Sequence, residues 1–142
     1  MTPRTWTITI SAPCAWLTAN SRMHRMAEAK LIKQWRLASC LAARWAKLPT
    51  GLDRVRIDAV AHFRGRAPVR DSDNLRPTLK AVIDGLGPQR LTKRGVVPGH
   101  GLIDDDDDAH LDGPYLVIGD KLPPLTYGRP GELVLTITEV AA

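Results

Sequence analysis

The chain has 142 residues, enough for one domain with its own core and too few for two ordinary ones. It carries 20 Lys and Arg against 15 Asp and Glu, but seven of those acids are Asp71, Asp73 and Asp104 to Asp108; with these set aside, 20 basic residues face eight acidic ones. Cys14 and Cys40 form no CxxC pair and have no histidine in ligand spacing, and no stretch has the apolar length of a signal peptide or a membrane span, which argues against a disulfide framework, a zinc site and a membrane protein. The expectation is one cytoplasmic domain over 1–142 with reduced thiols. A basic body suits a nucleic-acid partner, although charge alone also fits a basic protein without one.

Thr5 to Ile10 alternates polar and apolar residues and reads as a strand ending before Pro13. From about Ser21 to Leu48 the period becomes helical, with Asn20 or Ser21 as N-cap and Ala27, Leu31, Trp35, Ala38, Ala42 and Trp45 on one face. Arg22, Arg25, Lys33, Arg36, Arg44 and Lys47 gather on the opposite face, as a phosphate-tracking stripe or an ordinary solvated face.

Pro49-Thr50-Gly51 breaks that helix, and Arg54 to Phe63 is a second strand burying Val55, Ile57, Ala59, Ala61 and Phe63. A basic loop, Gly65 to Arg70, leads to a shorter helix over about Leu75 to Leu86, capped by Asp73 or Asn74, with Leu75, Leu79, Val82, Ile83 and Leu86 as its buried stripe. Gly87 to Gly101 is rich in glycine and proline, holds Arg90, Lys93 and Arg94, and reads as a mobile basic loop. Tyr115 to Ile118 is a short strand, Pro123-Pro124 and Gly128 to Gly131 are turns, and Glu132 to Val140 is a last strand. The class is α/β (α+β): a small mixed sheet packed with two main helices in β-α-β-α-β order.

The acidic clusters carry the chemistry. Crowded carboxylates repel one another unless a cation shares them, and Mg²⁺, a hard ion taking carboxylate oxygens and water, is the natural one. Asp71 and Asp73 stand two apart before a helix, so an extended segment would turn both the same way. Lys80 and Asp84, one helical turn apart, fall opposite the apolar stripe; Lys80 is either a cation aimed at a phosphate or a surface partner of Asp84. The Asp104 to Asp108 run is either a solvated loop or part of the site; Leu102-Ile103 before it and His110-Leu111 after it suggest anchoring at both ends. His110 is a candidate ligand or base, or incidental. An EF-hand counted from Asp71 fails, because its sixth and twelfth positions hold Arg76 and Val82.

Arg70-Asp71-Ser72-Asp73-Asn74-Leu75, then Lys80-Ala81-Val82-Ile83-Asp84-Gly85-Leu86, then Ile103 leading into Asp105-Asp106, resembles the RusA family of Holliday-junction resolvases. Leu17-Thr18-Ala19-Asn20-Ser21-Arg22 and the helix with Lys33-Gln34-Trp35-Arg36 are similar to that family's opening pattern. The resemblance implies a homodimeric Mg²⁺-dependent endonuclease, with Mn²⁺ as a possible substitute, that nicks four-way DNA junctions symmetrically in a bacterial host's cytoplasm, often from a phage or prophage. It implies Asp71, Asp73 and Asp106 as metal-binding carboxylates with Asp105 beside them, and Lys80 as the essential lysine. Arg22, Arg25, Lys33, Arg36, Arg64, Arg66, Arg70, Arg76, Arg90, Lys93 and Arg94 are candidate phosphate contacts. The same residues leave room for a nuclease acting on flaps, forks or structured RNA, and for a non-catalytic junction-binding module.

Overall fold

Alternation of β-branched and polar residues builds a four-stranded sheet, and in the computed structural model, which describes residues 2–124 and 129–141, its strand order is β1-β6-β2-β5. These strands are β1 (Thr5–Ser11), β2 (Val55–Phe63), β5 (Leu111–Ile118) and β6 (Gly131–Glu139). β6 runs antiparallel to β1 and β2, and β2 runs parallel to β5, so the sheet is mixed and the fold is α+β. Two helices, α1 (Arg25–Trp45) and α2 (Arg76–Leu86), complete the domain with a separate hairpin of β3 (Arg90–Thr92) and β4 (Gly95–Val97). Among the described residues no helix is long and apolar enough to cross a membrane.

The alternating residues Val55, Ile57, Ala59, Ala61 and Phe63 are all buried, as are Ile8, Ile10, Leu133, Leu135 and Ile137. Trp35 is wholly buried, its ring centroid 5.0 Å from that of Trp16, which meets Phe63 edge-on at 5.1 Å. Both indoles keep a hydrogen-bond partner, donating to the carbonyls of Ala15 (Trp35, 3.0 Å) and Pro130 (Trp16, 3.1 Å). The expected stripe of α2 is buried throughout.

Helix α1 departs from expectation in two ways. It begins at Arg25, where the His24 side chain accepts from the Met26 amide, so neither Asn20 nor Ser21 caps it and Arg22 precedes it. Its buried residues are Trp35, Ser39, Cys40 and Ala43, whereas Ala27 is exposed and Trp45 is 91% exposed. Small residues face α2 because the helices approach closely: a Cβ added at Gly85 would lie 2.3 Å from the Arg36 carbonyl oxygen, and the Ser39 hydroxyl donates to the Val82 carbonyl at 2.7 Å. Close packing selects small side chains, which carry little apolar signal, while the ends of a 21-residue helix overrun the core.

Two more expectations change. Gly87 to Gly101, expected as a loop without strands, carries the β3–β4 hairpin, with amides of His100, Gly101 and Leu102 donating to carbonyls of Gly85, Leu86 and Gly87 at its base. β5 starts at Leu111, four residues early, and its pairing with β2 shifts register between Arg56 and Asp58, beside Gly113-Pro114. A proline in an edge strand forfeits one ladder bond, which hides the strand from propensity. The expected turn at Gly128 lies outside the described residues.

Candidate active site

The approach to α2 is a bend and not an extended segment. Asp71 has an extended backbone, but its side chain accepts from the Asp73 amide at 3.0 Å and caps a 3-10 turn over Ser72–Leu75 that runs directly into α2. Leu75 stands at the α2 N-cap without a side-chain bond, so neither Asp73 nor Asn74 caps the helix as expected. Asp73 is displayed on the turn, 3.5 Å from the Arg76 guanidinium.

Thr78 fixes the first turn of α2. Its buried hydroxyl accepts from the Leu17 amide and donates to the Leu17 carbonyl, both at 2.8 Å, while the Ala19 amide donates to the Asn74 carbonyl. Two residues on, about half a helical turn, Lys80 leaves the opposite side of α2 and meets the acidic run. Its ammonium lies 2.6 Å from Asp106 Oδ2 and 3.2 Å from Asp84 Oδ1, so the pairing with Asp84 is present and a second carboxylate, from the acidic run, shares the same cation.

Asp84 is not on a solvated face. Its side chain is only 15% exposed because Arg36 of α1 reaches it at 3.2 Å from the other side, which gives the series Asp106, Lys80, Asp84, Arg36. Arg36 is thus committed to the helix interface and leaves the exposed basic stripe. Arg64 is similarly engaged, with Glu132 at 3.5 Å and the Pro123 carbonyl at 2.8 Å. Arg22, Arg25, Lys33, Arg66, Arg70, Arg76, Arg90, Lys93 and Arg94 are exposed.

Hydrogen bonding to Asp106 raises the Lys80 pKa above its ordinary value, and the Lys80 ammonium lowers that of Asp106. Both stay charged at neutral pH. Lys80 is accordingly a fixed positive charge and not a proton acceptor.

The acidic run sorts into two parts. Asp105 accepts from the Asp106 amide at 2.7 Å, and Asp104, Asp105 and Asp106 border one cavity with Lys80, Asp84 and Arg90. Asp107 instead bonds the His110 ring and accepts from the His110 and Leu111 amides, closing the turn into β5. With Ile103 bridged to Leu52 and buried, the run is held at both ends.

A second cavity, of about 380 Å³, joins the first along Lys80. Asp73, Lys80 and Asp106 line it with Ser72 and Arg76, over apolar residues including Leu79, Ile83, Leu111 and Leu116. Sequence reasoning missed that apolar floor, although Leu79 and Ile83 had been assigned to the core stripe. Asp71 borders neither cavity.

Hard carboxylate oxygens on two sides of one cavity suit Mg²⁺, which usually takes one or two protein carboxylates and completes its shell with water and phosphate oxygens. Among the described residues no three His, Cys, Asp or Glu side chains gather as a ready metal-binding group.

His110 allows a pH test of the anchored turn. The Asp107 hydrogen bond, helped by the charges of Asp107, Asp104 and Asp105, raises its pKa above the ordinary value. A raised folded-state pKa means that the contribution is complete below the unfolded value, about 6.5, and fades as pH rises through the folded value. An NMR titration should place the His110 midpoint above that of a model imidazole, and Asp107→Asn should bring it down; an unmoved midpoint would remove the Asp107 link.

No protein-family model matches the chain, and a search of curated proteins finds no match.

Proposed function

We propose that the protein is a Mg²⁺-dependent endodeoxyribonuclease that resolves four-way DNA junctions by paired symmetric nicks, working as a homodimer in the cytoplasm. One meeting of side chains carries the reading: Lys80 and Asp106, 26 residues apart, join at 2.6 Å in a cavity also lined by Asp73, on a chain whose remaining charge is strongly basic. The RusA-like order of these residues supports the same reaction. Bound Mg²⁺ supplies a Lewis acid that polarises a phosphoryl oxygen and lowers the pKa of a coordinated water.

Asp73 and Asp106, with Asp105 alongside, are the residues that would hold the ion. Asp71 keeps the Asp73 turn in place through one carboxylate oxygen and leaves the other for a ligand role. Lys80, fully charged, complements the negative charge that develops on the departing oxygen. Arg76 at the rim offers a guanidinium to the non-bridging oxygens, and the apolar floor seats the sugar and limits water. One site cuts one strand, so two cuts related by a two-fold axis call for a two-fold dimer.

Nicking of labelled four-way junction, flap and linear duplex of shared sequence, with Mg²⁺ or Mn²⁺, tests the reading. Paired cuts near the branch of the junction, with little cutting of the other two, are expected. Preference for the flap would move the substrate within the same chemistry. Tight junction binding without cleavage in either metal would make the protein a binding module.

A further inference from the structure

Among the described residues, the apolar pair of the β3–β4 hairpin is left uncovered. Leu91 and Val96 pair across its two strands, yet they are 83% and 56% exposed. A two-stranded ribbon with nothing packed on its apolar pair is marginal by itself. Its shape is nevertheless defined, because the Thr92 hydroxyl accepts from the Arg94 amide and donates to the Gly95 carbonyl, and Gly95 takes the positive φ of +120° that the turn needs. The base is held by the backbone bonds to the end of α2 and by His100, whose ring meets the Leu48 carbonyl at 2.8 Å.

Charge limits what can cover it. From Gly87 to Gly101 there is no acidic residue, and Arg90, Lys93 and Arg94 are all exposed. On one side Arg90 borders the cavity with Asp104, Asp105 and Asp106. On the other a groove of about 400 Å³ separates the hairpin from α1, lined by the cations Lys33, Arg36 and Arg94 and the apolar Leu37, Val96 and Pro98. Exposed aliphatic side chains surrounded by cations match a polyanion that also offers apolar faces, which describes nucleic acid whose bases have come unstacked.

We infer that the hairpin is a branch-point wedge: Leu91 and Val96 press on an unstacked base pair at the DNA branch, while Arg94 and Lys33 hold the phosphates of the strand led into the groove beside α1. The inference rests on the proposed nuclease reading and adds the device that tells a branch from a duplex. Apolar wedges that open a base step and cationic grooves that follow a backbone act by these same forces.

The test uses the full chain with the double variant Leu91→Ser/Val96→Ser, in Ca²⁺ so that binding is read apart from cleavage. A junction with 2-aminopurine at the branch should brighten on binding wild type and stay dim with the variant. Junction affinity should fall about tenfold or more, on the scale of one lost base-stacking contact, with duplex affinity and thermal midpoint unchanged because both side chains are exposed. Equal brightening and affinity for variant and wild type would overturn the wedge, as would equal losses on junction and duplex. A variant that changes oligomeric state would overturn it too, making the hairpin a protein contact. Failure of the nuclease reading is separately visible: wild type would then cut no branched DNA in Mg²⁺, whereas failure of the wedge alone leaves wild type and variant cutting junctions alike.

Discussion

Asp106→Asn should lower Mg²⁺-dependent nicking by about a thousandfold while leaving the fold intact. The substitution takes a negative charge from the cavity shared with Asp73 and removes the anion that holds the Lys80 ammonium at 2.6 Å. Loss of one well-placed electrostatic group costs about 10² to 10³ in rate, and here a metal ligand and the positioning of a cation go together. Stability should change little. The Asp106 side chain is 36% exposed, and exposed ion pairs contribute about 0–1 kcal/mol. Nicking rates and a thermal melt check both parts; a variant that cuts within a fewfold of wild type removes Asp106 from the site.

Trp35→Ala should destabilise the protein by about 4 kcal/mol, close to the upper range for emptying a large core position. Trp35 is wholly buried, packs on Trp16, and its indole donates to the Ala15 carbonyl, so truncation leaves both a cavity and an orphaned acceptor. Ala15 begins the stretch that reaches Leu17, the residue Thr78 clasps, so the damage runs toward the turn carrying Asp73. Trp45→Ala is the matched control: a side chain 91% exposed should change stability by no more than about 0.5 kcal/mol. Urea unfolding of the two variants should give midpoints far apart, and equal midpoints would contradict the packing described for α1.

Local pattern was enough to read β1, β2 and β6, because β-branched alternation and one-sided burial coincide in them. It was enough for α2 as well, where large aliphatic residues repeat at helical spacing. It was insufficient for α1, where the close contact with α2 is made by Ser39 and the Arg36 backbone, and for the start of β5, where Gly113-Pro114 interrupts the propensity. Three members of the candidate site that line one cavity were legible, and their wiring was not. Asp73, Lys80 and Asp106 stood out by type and order, but the pairing of Arg36 with Asp84 depends on how two helices cross. The capping role of Asp71 follows from a 3-10 turn that the short motif did not announce. The Lys80–Asp106 pair and the clasp of Thr78 on Leu17 are tertiary contacts that residue spacing does not contain.

The most direct measurement compares wild type with Asp73→Asn on one labelled four-way junction, reading binding in Ca²⁺ and nicking in Mg²⁺. Asp73 is an exposed side chain on a capped turn, so its amide should be tolerated by the fold, remove a negative charge facing DNA and weaken the metal site. The account predicts paired cuts by wild type, none by Asp73→Asn, and junction binding by the variant at least as tight as that of wild type. Cutting by the variant at the wild-type rate, or no cutting by a wild type that binds the junction tightly, would contradict it.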